Sequence, residues 1–100
     1  MNPNLELQQD IGSALAPNVI ASAATVRPVT AFSFITGTVR IATIVPPSLA
    51  AHMLVFVFTD PSPGQFLSSG NVQVDVFPVQ DFALLLIFDP RTAKYYPASA

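Results

Sequence analysis

The stretch Met53-Leu54-Val55-Phe56-Val57-Phe58 decides the fold class, because it is wholly apolar and mostly β-branched or aromatic. That composition favours a β-strand. A second run, Ala83-Leu84-Leu85-Leu86-Ile87-Phe88, is also continuously apolar. Both runs are far shorter than the ~20 residues that a membrane-spanning helix needs. We therefore interpret both as buried strands and expect no membrane partner.

Both faces of these two strands are apolar. Alternate residues of a strand point to opposite faces, and an antiparallel sheet usually keeps one face wet and polar. The second apolar face therefore needs a cover, which we expect to be a neighbouring subunit or the N-terminal arm; loops of the same chain are the alternative. The predicted subunit interface consists of Val55, Val57, Leu85 and Ile87. The opposite faces of the same strands are the alternative interface.

The rest of the chain after residue 25 alternates strand and turn signals. Further strands are predicted at residues 29–35, 38–44, 66–67, 72–77 and 94–96. Turn residues such as Asp60-Pro61 and Asp89-Pro90 separate them. The pattern predicts an all-β domain over residues 25–100, a small antiparallel β-sandwich or barrel of jelly-roll-like type with six to seven short strands. A parallel α/β fold is disfavoured, because no interval between strands can hold a crossover helix.

Residues 1–24 read as an extended N-terminal arm rich in Ala, Asn, Gln and Ser. A frayed tail is the alternative. We favour an arm that lies on a neighbouring molecule, because Ala14, Leu15, Val19 and Ile20 are too apolar for a solvated tail. These four residues are predicted to make contacts with a neighbouring subunit or with a larger assembly.

Composition points to an oligomer. The chain has 100 residues, of which 51% are hydrophobic and only 10% charged, whereas roughly a quarter is usual. A domain this small has much surface to cover with few charges, so part of that surface is expected to face other protein. The four cations are scattered, which excludes the clustered basic footprint of a nucleic-acid-binding protein. The N-terminal residues do not resemble a signal peptide, so we expect synthesis in the cytoplasm.

No catalytic or metal-binding pattern stands out, and we expect no enzyme activity and no cofactor. The single histidine, His52, sits at the edge of an apolar strand and reads as a structural residue. No cysteine is present, and no His/Asp cluster has metal-ligand spacing. A small glycan hydrolase would need a cleft joining some of the aspartates, and a ligand cavity stays open as a further alternative. Those aspartates are Asp60, Asp75, Asp81 and Asp89.

Three blocks of sequence resemble a β-module of tailed-phage structural proteins. The first is Gly37-Thr38 with Ile41-Ala42-Thr43-Ile44 and Pro46-Pro47, and the second is Phe66 with Gly70-Asn71-Val72. The third is Phe88-Asp89 with Thr92 and Lys94-Tyr95-Tyr96-Pro97. The resemblance covers about residues 34–97, with Tyr95 where the module usually has Trp and Val72 where it usually has Ile.

The resemblance implies a virion protein, often trimeric and without catalytic residues. A nearly free-standing module suits a capsid decoration (cement) protein, which binds the major capsid protein on the outer surface of the capsid as a homotrimer and stabilises the shell. A component of a fibre, spike or baseplate, with a glycan as possible ligand, is the alternative.

Overall fold

A computed structural model describes residues 18–98 of the protein. These residues form seven strands and no helix, which confirms the predicted all-β class. The strands are β1 (Asn18–Ala21), β2 (Thr25–Val26), β3 (Phe32–Thr36), β4 (Thr43–Ile44), β5 (His52–Phe58), β6 (Ala83–Asp89) and β7 (Lys94–Pro97).

Five strands form one mixed sheet in the order β1-β3-β5-β6-β7, and β2 pairs with β4 in a small second sheet. Strands β1, β3 and β5 are parallel to one another, whereas β5, β6 and β7 are antiparallel. The prediction of a wholly antiparallel sheet is therefore wrong. A closed barrel is wrong as well for the described strands, because β1 and β7 are the separate edges of an open sheet.

The parallel pairs arise from the way the chain crosses between sheets. Parallel neighbours need a long crossover connection, for which most proteins use a helix. Here residues 22–31 and 37–51 make the two crossovers, and each runs through the second sheet as β2 or β4. The sequence disfavoured parallel strands because no interval can hold a crossover helix. In the structure, extended segments make these crossovers instead.

The register defines two ends of the large sheet. At the upper end, as we call it, β1, β3 and β5 begin, and the hairpin between β6 and β7 turns. At the lower end β1, β3 and β5 finish, β6 begins and β7 finishes. His52 opposite Phe88 marks the upper end, and Val57 opposite Ala83 marks the lower end.

The core lies between the inner face of the large sheet and the second layer of chain. Phe66, from the segment after β5, stacks on Phe56 with ring centroids 6.2 Å apart and meets Phe58 edge-on at 5.8 Å. Such aromatic pairs add to the free energy gained by burying their area. The buried cluster consists of Val26, Ile35, Ile41, Ile44, Leu54, Phe56, Phe58, Phe66, Val72, Leu84, Leu86, Phe88 and Tyr95.

Two predicted strands are much shorter than expected. In the segment predicted as a strand at 38–44, only Thr43–Ile44 is one, with an isolated bridge at Ile41. The segment 72–77 contains only two isolated bridges, from Val72 to Tyr95 and from Val76 to Phe66. Its alternating valines therefore contact two different parts of the fold in succession, rather than one sheet face.

The large sheet begins before residue 25, where the sequence suggested the start of the β-domain. Strand β1, at Asn18–Ala21, pairs along its whole length with β3. Apolar and polar residues do not alternate clearly in this segment, so the sequence did not predict a strand there.

Glycine is required at three positions for two different reasons. Gly37 has a φ of 85°, which disfavours any residue with a side chain. Gly64 and Gly70 have ordinary φ values, but a Cβ at either position would overlap a backbone carbonyl, that of Val39 and that of Ala42 respectively. Of these three glycines, only Gly37 therefore has a positive φ.

Two buried serines differ in hydrogen bonding, and this difference gives a test of the core. Ser22 Oγ accepts a hydrogen bond from the backbone N–H of Val39 at 3.0 Å, whereas Ser33 Oγ has no partner among residues 18–98. Ser33→Ala removes an unsatisfied buried hydroxyl, so we expect unfolding free energy to stay equal or rise by up to ~1 kcal/mol. The matched variant Ser22→Ala should lose ~1 kcal/mol, or about 4–8 °C in Tm. Thermal unfolding followed by circular dichroism measures both, and a loss at Ser33→Ala would contradict the assignment.

Candidate functional site

The four residues predicted as a subunit interface lie together on the outer face of the large sheet. Val55 is directly opposite Leu85 across the β5–β6 pair, and Val57 and Ile87 flank them on the same face. The alternate residues of both strands are the ones buried in the core. The sequence left open which face of these strands is buried within the chain. The structure shows that the face opposite these four residues forms the core of the single chain.

Neighbouring strands extend this outer face. Phe32 pairs with Val55 and therefore points the same way, and its ring meets Phe34 edge-on at 5.5 Å. We use the name outer face for Val19, Phe32, Phe34, Met53, Val55, Val57, Ala83, Leu85, Ile87 and Tyr96. None of these residues carries a charge; on the same side, charge begins at Asp89 and Lys94 at the upper end.

Several large side chains of the outer face are open to solvent. Val19 is 69% exposed, Met53 48% and Ile87 46%. Single exposed apolar side chains are common on soluble proteins, but a contiguous charge-free set across five strands is typical of an interaction surface. The described part of the chain does not cover this face, so the outer face is the principal candidate site.

The residues predicted for the arm have separate positions. Val19 lies at the β1 edge of the outer face, whereas Ile20 packs against the core. Ala14 and Leu15 lie outside the described residues. Of the two described residues, Val19 and Ile20, only Val19 is therefore exposed for contact with another molecule.

A second apolar surface, which the sequence did not reveal, is a groove of about 860 Å³ along β7. Segment 73–79 lines it on one side, and the start of β6 with Tyr96 and Pro97 on the other. Phe77 and Phe82 are 65% and 70% exposed at the groove. No local sequence signal indicates this groove, because Phe77 ends a segment that the sequence predicts as a strand.

His52 has the structural environment that the sequence predicted. Its Nδ1 lies 2.8 Å from the carbonyl oxygen of Ala50, and its Nε2 lies 2.8 Å from the Tyr95 hydroxyl. A carbonyl only accepts, so Nδ1 donates, and in the tautomer that carries this single N–H the Nε2 atom accepts from Tyr95. Burial raises the pKa of Tyr95 to about 12, which keeps this donor protonated. Both ring nitrogens thus bond to structural partners.

Three of the four aspartates that a hydrolase would need accept hydrogen bonds from backbone N–H groups within seven residues of them in the chain. Asp60 accepts from the N–H of Ser62, and Asp89 from the N–H of Arg91. The pKa of Asp89 is lowered by hydrogen bonds from Arg91, and that of Asp75 by the backbone N–H of Ser68. Within residues 18–98, no group of three or more histidines and carboxylates is arranged to hold a metal ion.

Asn71 joins the three sequence blocks and is the residue whose role the sequence analysis missed. Its Oδ1 accepts from the N–H of Ile44 at 2.8 Å, and its Nδ2 donates to the carbonyl of Ile44 at 2.6 Å. Its own carbonyl accepts from the N–H of Tyr95 at 2.7 Å. Gly70 allows this approach, because it lies directly against the Ala42 carbonyl. The Gly-Asn pair of the second block was the available signal.

Residues 18–98 include no helix with the length and apolarity needed to cross a bilayer. Comparison with known proteins finds no matching family model, no matching curated protein and no matching solved structure.

The role of Asn71 can be tested by removing its side chain. Asn71→Ala leaves two backbone groups of Ile44 without partners, so we expect a loss of ~2 kcal/mol, or about 8–16 °C in Tm. Gln80→Ala is the matched control, because that amide makes one exposed hydrogen bond, to the carbonyl of Thr59 at 3.0 Å. The control should change the unfolding free energy by less than ~0.5 kcal/mol. Equal effects in urea titrations of the two variants would show that Asn71 does not join the blocks.

Proposed function

We propose that this protein is a non-enzymatic structural protein of a phage virion, a capsid decoration (cement) protein. It assembles as a homotrimer, binds the major capsid protein on the outer capsid surface and stabilises the shell. It is made in the host cytoplasm and acts on the virion, and the proposal includes no nucleic-acid or membrane partner. The alternative, a fibre, spike or baseplate component, keeps the same self-assembly and differs in its location on the particle.

The observation that carries the proposal is the charge-free outer face. Its two central strands place Val55, Leu85 and Ile87 beside one another, with no charged side chain among them. A face of about 20 by 20 Å corresponds to ~400 Å². Covering it removes apolar area worth ~10 kcal/mol at ~25 cal/mol per Å². Association costs ~4–15 kcal/mol, so the face can drive association but gains from additional contact area.

The convergence of the sequence blocks supports the same proposal. The residues that resemble the phage β-module form one contiguous unit around Asn71, Ile44 and Tyr95. In the proposal, the second layer packs on the inner face as one half of a jelly-roll-like sandwich. The outer face then remains for the trimer contact, and the arm, with Ala14 and Leu15, for capsid or inter-subunit contact.

The groove along β7 does not favour the glycan-binding alternative. Sugar sites combine aromatic platforms with several polar groups, whereas this groove is lined mainly by valine, phenylalanine and proline. An apolar protein segment is the better match for its surface.

Self-assembly is tested first by the mass in solution. Light scattering after size exclusion should give a trimer of about 32 kDa, three chains of 10.6 kDa. Ile87→Asp and Val57→Asp should give folded monomers, because a carboxylate on a covered apolar face is left without a partner. Val39→Asp is the control, since Val39 is exposed and lies outside the outer face. A trimer that survives Ile87→Asp would exclude the outer face as the interface.

Capsid binding is tested with phage shells that lack their decoration protein. Co-sedimentation should show saturable binding at three chains per site, and bound shells should resist heating better than bare shells. The monomeric Ile87→Asp variant should bind at least about tenfold more weakly, because it loses multivalency. Binding to purified tails or fibres, with none to shells, would favour the alternative.

A further inference from the structure

The charged side chains of the described chain are separated along the strand direction. The upper end carries two cations against one carboxylate: Arg91 and Lys94 against Asp89. The groove and the lower end carry three carboxylates, Asp60, Asp75 and Asp81. Arg27 and Arg40 lie in the two crossovers between the ends. Within residues 18–98, the charged side chains are therefore net positive at the upper end and net negative at the groove and the lower end.

The lower half of the molecule also holds the apolar groove. The groove lies between segment 73–79 and the start of β6, and Asp75 is part of its wall. Its volume of about 860 Å³ lies within the ~300–1,000 Å³ of pockets that enclose whole ligands. Ala83 and Tyr96 belong both to the groove and to the outer face, so the two surfaces are continuous.

The upper end presents an apolar projection with positive charge beside it. Leu49, in the connection that leads to β5, is 81% exposed, the highest value among the large apolar side chains described. Ala51, two residues later, lines a shallow depression together with Pro90 and Arg91. The Arg91 side chain is 88% exposed. Leu49 thus lies two residues before Ala51, which shares this depression with an exposed guanidinium group.

These two ends are complementary in both shape and charge. A projection with cations fits an apolar groove with carboxylates, and one copy carries both surfaces at opposite ends. Contacts of this head-to-tail kind are heterologous, and they close into a ring when the rotation between copies is a third of a turn. The outer face has an area of ~400 Å², whereas a standard stable interface buries ~800 Å² per partner. The contact between the groove and the upper end adds area toward that value.

We propose that the groove along β7 is occupied by the upper end of a second copy of this chain, with Leu49 inserted beside Phe82. This inference rests on the proposed self-assembly and specifies how the trimer closes. Each copy then uses its groove once and its upper end once.

The absence of cysteine from the sequence allows a direct test by cross-linking. Leu49→Cys and Phe82→Cys are prepared separately in the full-length chain, mixed and oxidised. Both side chains are largely exposed in the single chain, so neither change should affect folding. The mixture should give a disulfide-linked dimer at least about tenfold above either variant alone, since the bond requires Cα atoms about 4.4–6.8 Å apart. Val39→Cys mixed with Phe82→Cys is the control for random collisions.

Salt dependence gives a second measurement. Raising the salt from about 0.1 to 1 M shortens the Debye length from about 10 to 3 Å. The cross-linking yield should fall by about threefold or more, because contacts between opposite charges weaken. Lys94→Glu should lower the yield at low salt and remove most of its salt dependence.

The outcomes separate this inference from the proposed function. A trimer by light scattering that gives no cross-link above the Val39→Cys control overturns the inference and leaves the self-assembly intact. A monomer at all concentrations overturns both. A cross-linking yield that rises with salt also overturns the inference, because it would indicate a purely apolar contact.

Discussion

Burial of the inner face of β5 and β6 is the interaction on which the rest of the structure depends. The rings of Phe56, Phe58 and Phe66 form one aromatic cluster, and both crossovers and the segment after β5 pack around it. This packing fixes which set of alternating residues points inward, so it also fixes which set points out. Because both sets are apolar, completing the core of one chain necessarily produces an apolar surface. The outer face is in this sense a by-product of the same strands that stabilise the fold.

The sequence predicted the strands that local signals define and missed the pairings that depend on distant segments. The Asp89-Pro90 turn lies between β6 and β7, and these strands form the expected hairpin. The parallel pairing of β3 with β5 has no such signal, because it depends on the path of residues 37–51 through the second layer. The alternation of residues along β5 defined its two faces, but it did not show which face is buried in the core. That choice depends on Phe66, which follows β5 in an irregular segment and contacts one face of the strand only.

The candidate site was predictable in part. Val55, Val57, Leu85 and Ile87 could be grouped from the period of two residues, and the structure brings them together on one face. The groove could not be predicted, because segment 73–79 bridges two layers and its valines do not share a face. Asn71 was also missed, since its hydrogen bonds reach Ile44, 27 residues earlier in the chain. Each failure concerns a contact between segments whose separation no local pattern encodes.

The crossover topology has a consequence for how the chain folds. Strand β5 lies in the middle of the sheet, and its second neighbour, β6, ends only at Asp89. On the ribosome, β1 to β5 would therefore be synthesised before the central pair of the sheet could form. Folds dominated by such non-local pairings form slowly, in milliseconds to seconds, and expose apolar strands meanwhile. The order of synthesis thus places the pairing of β5 with β6 after most of the described domain has been made.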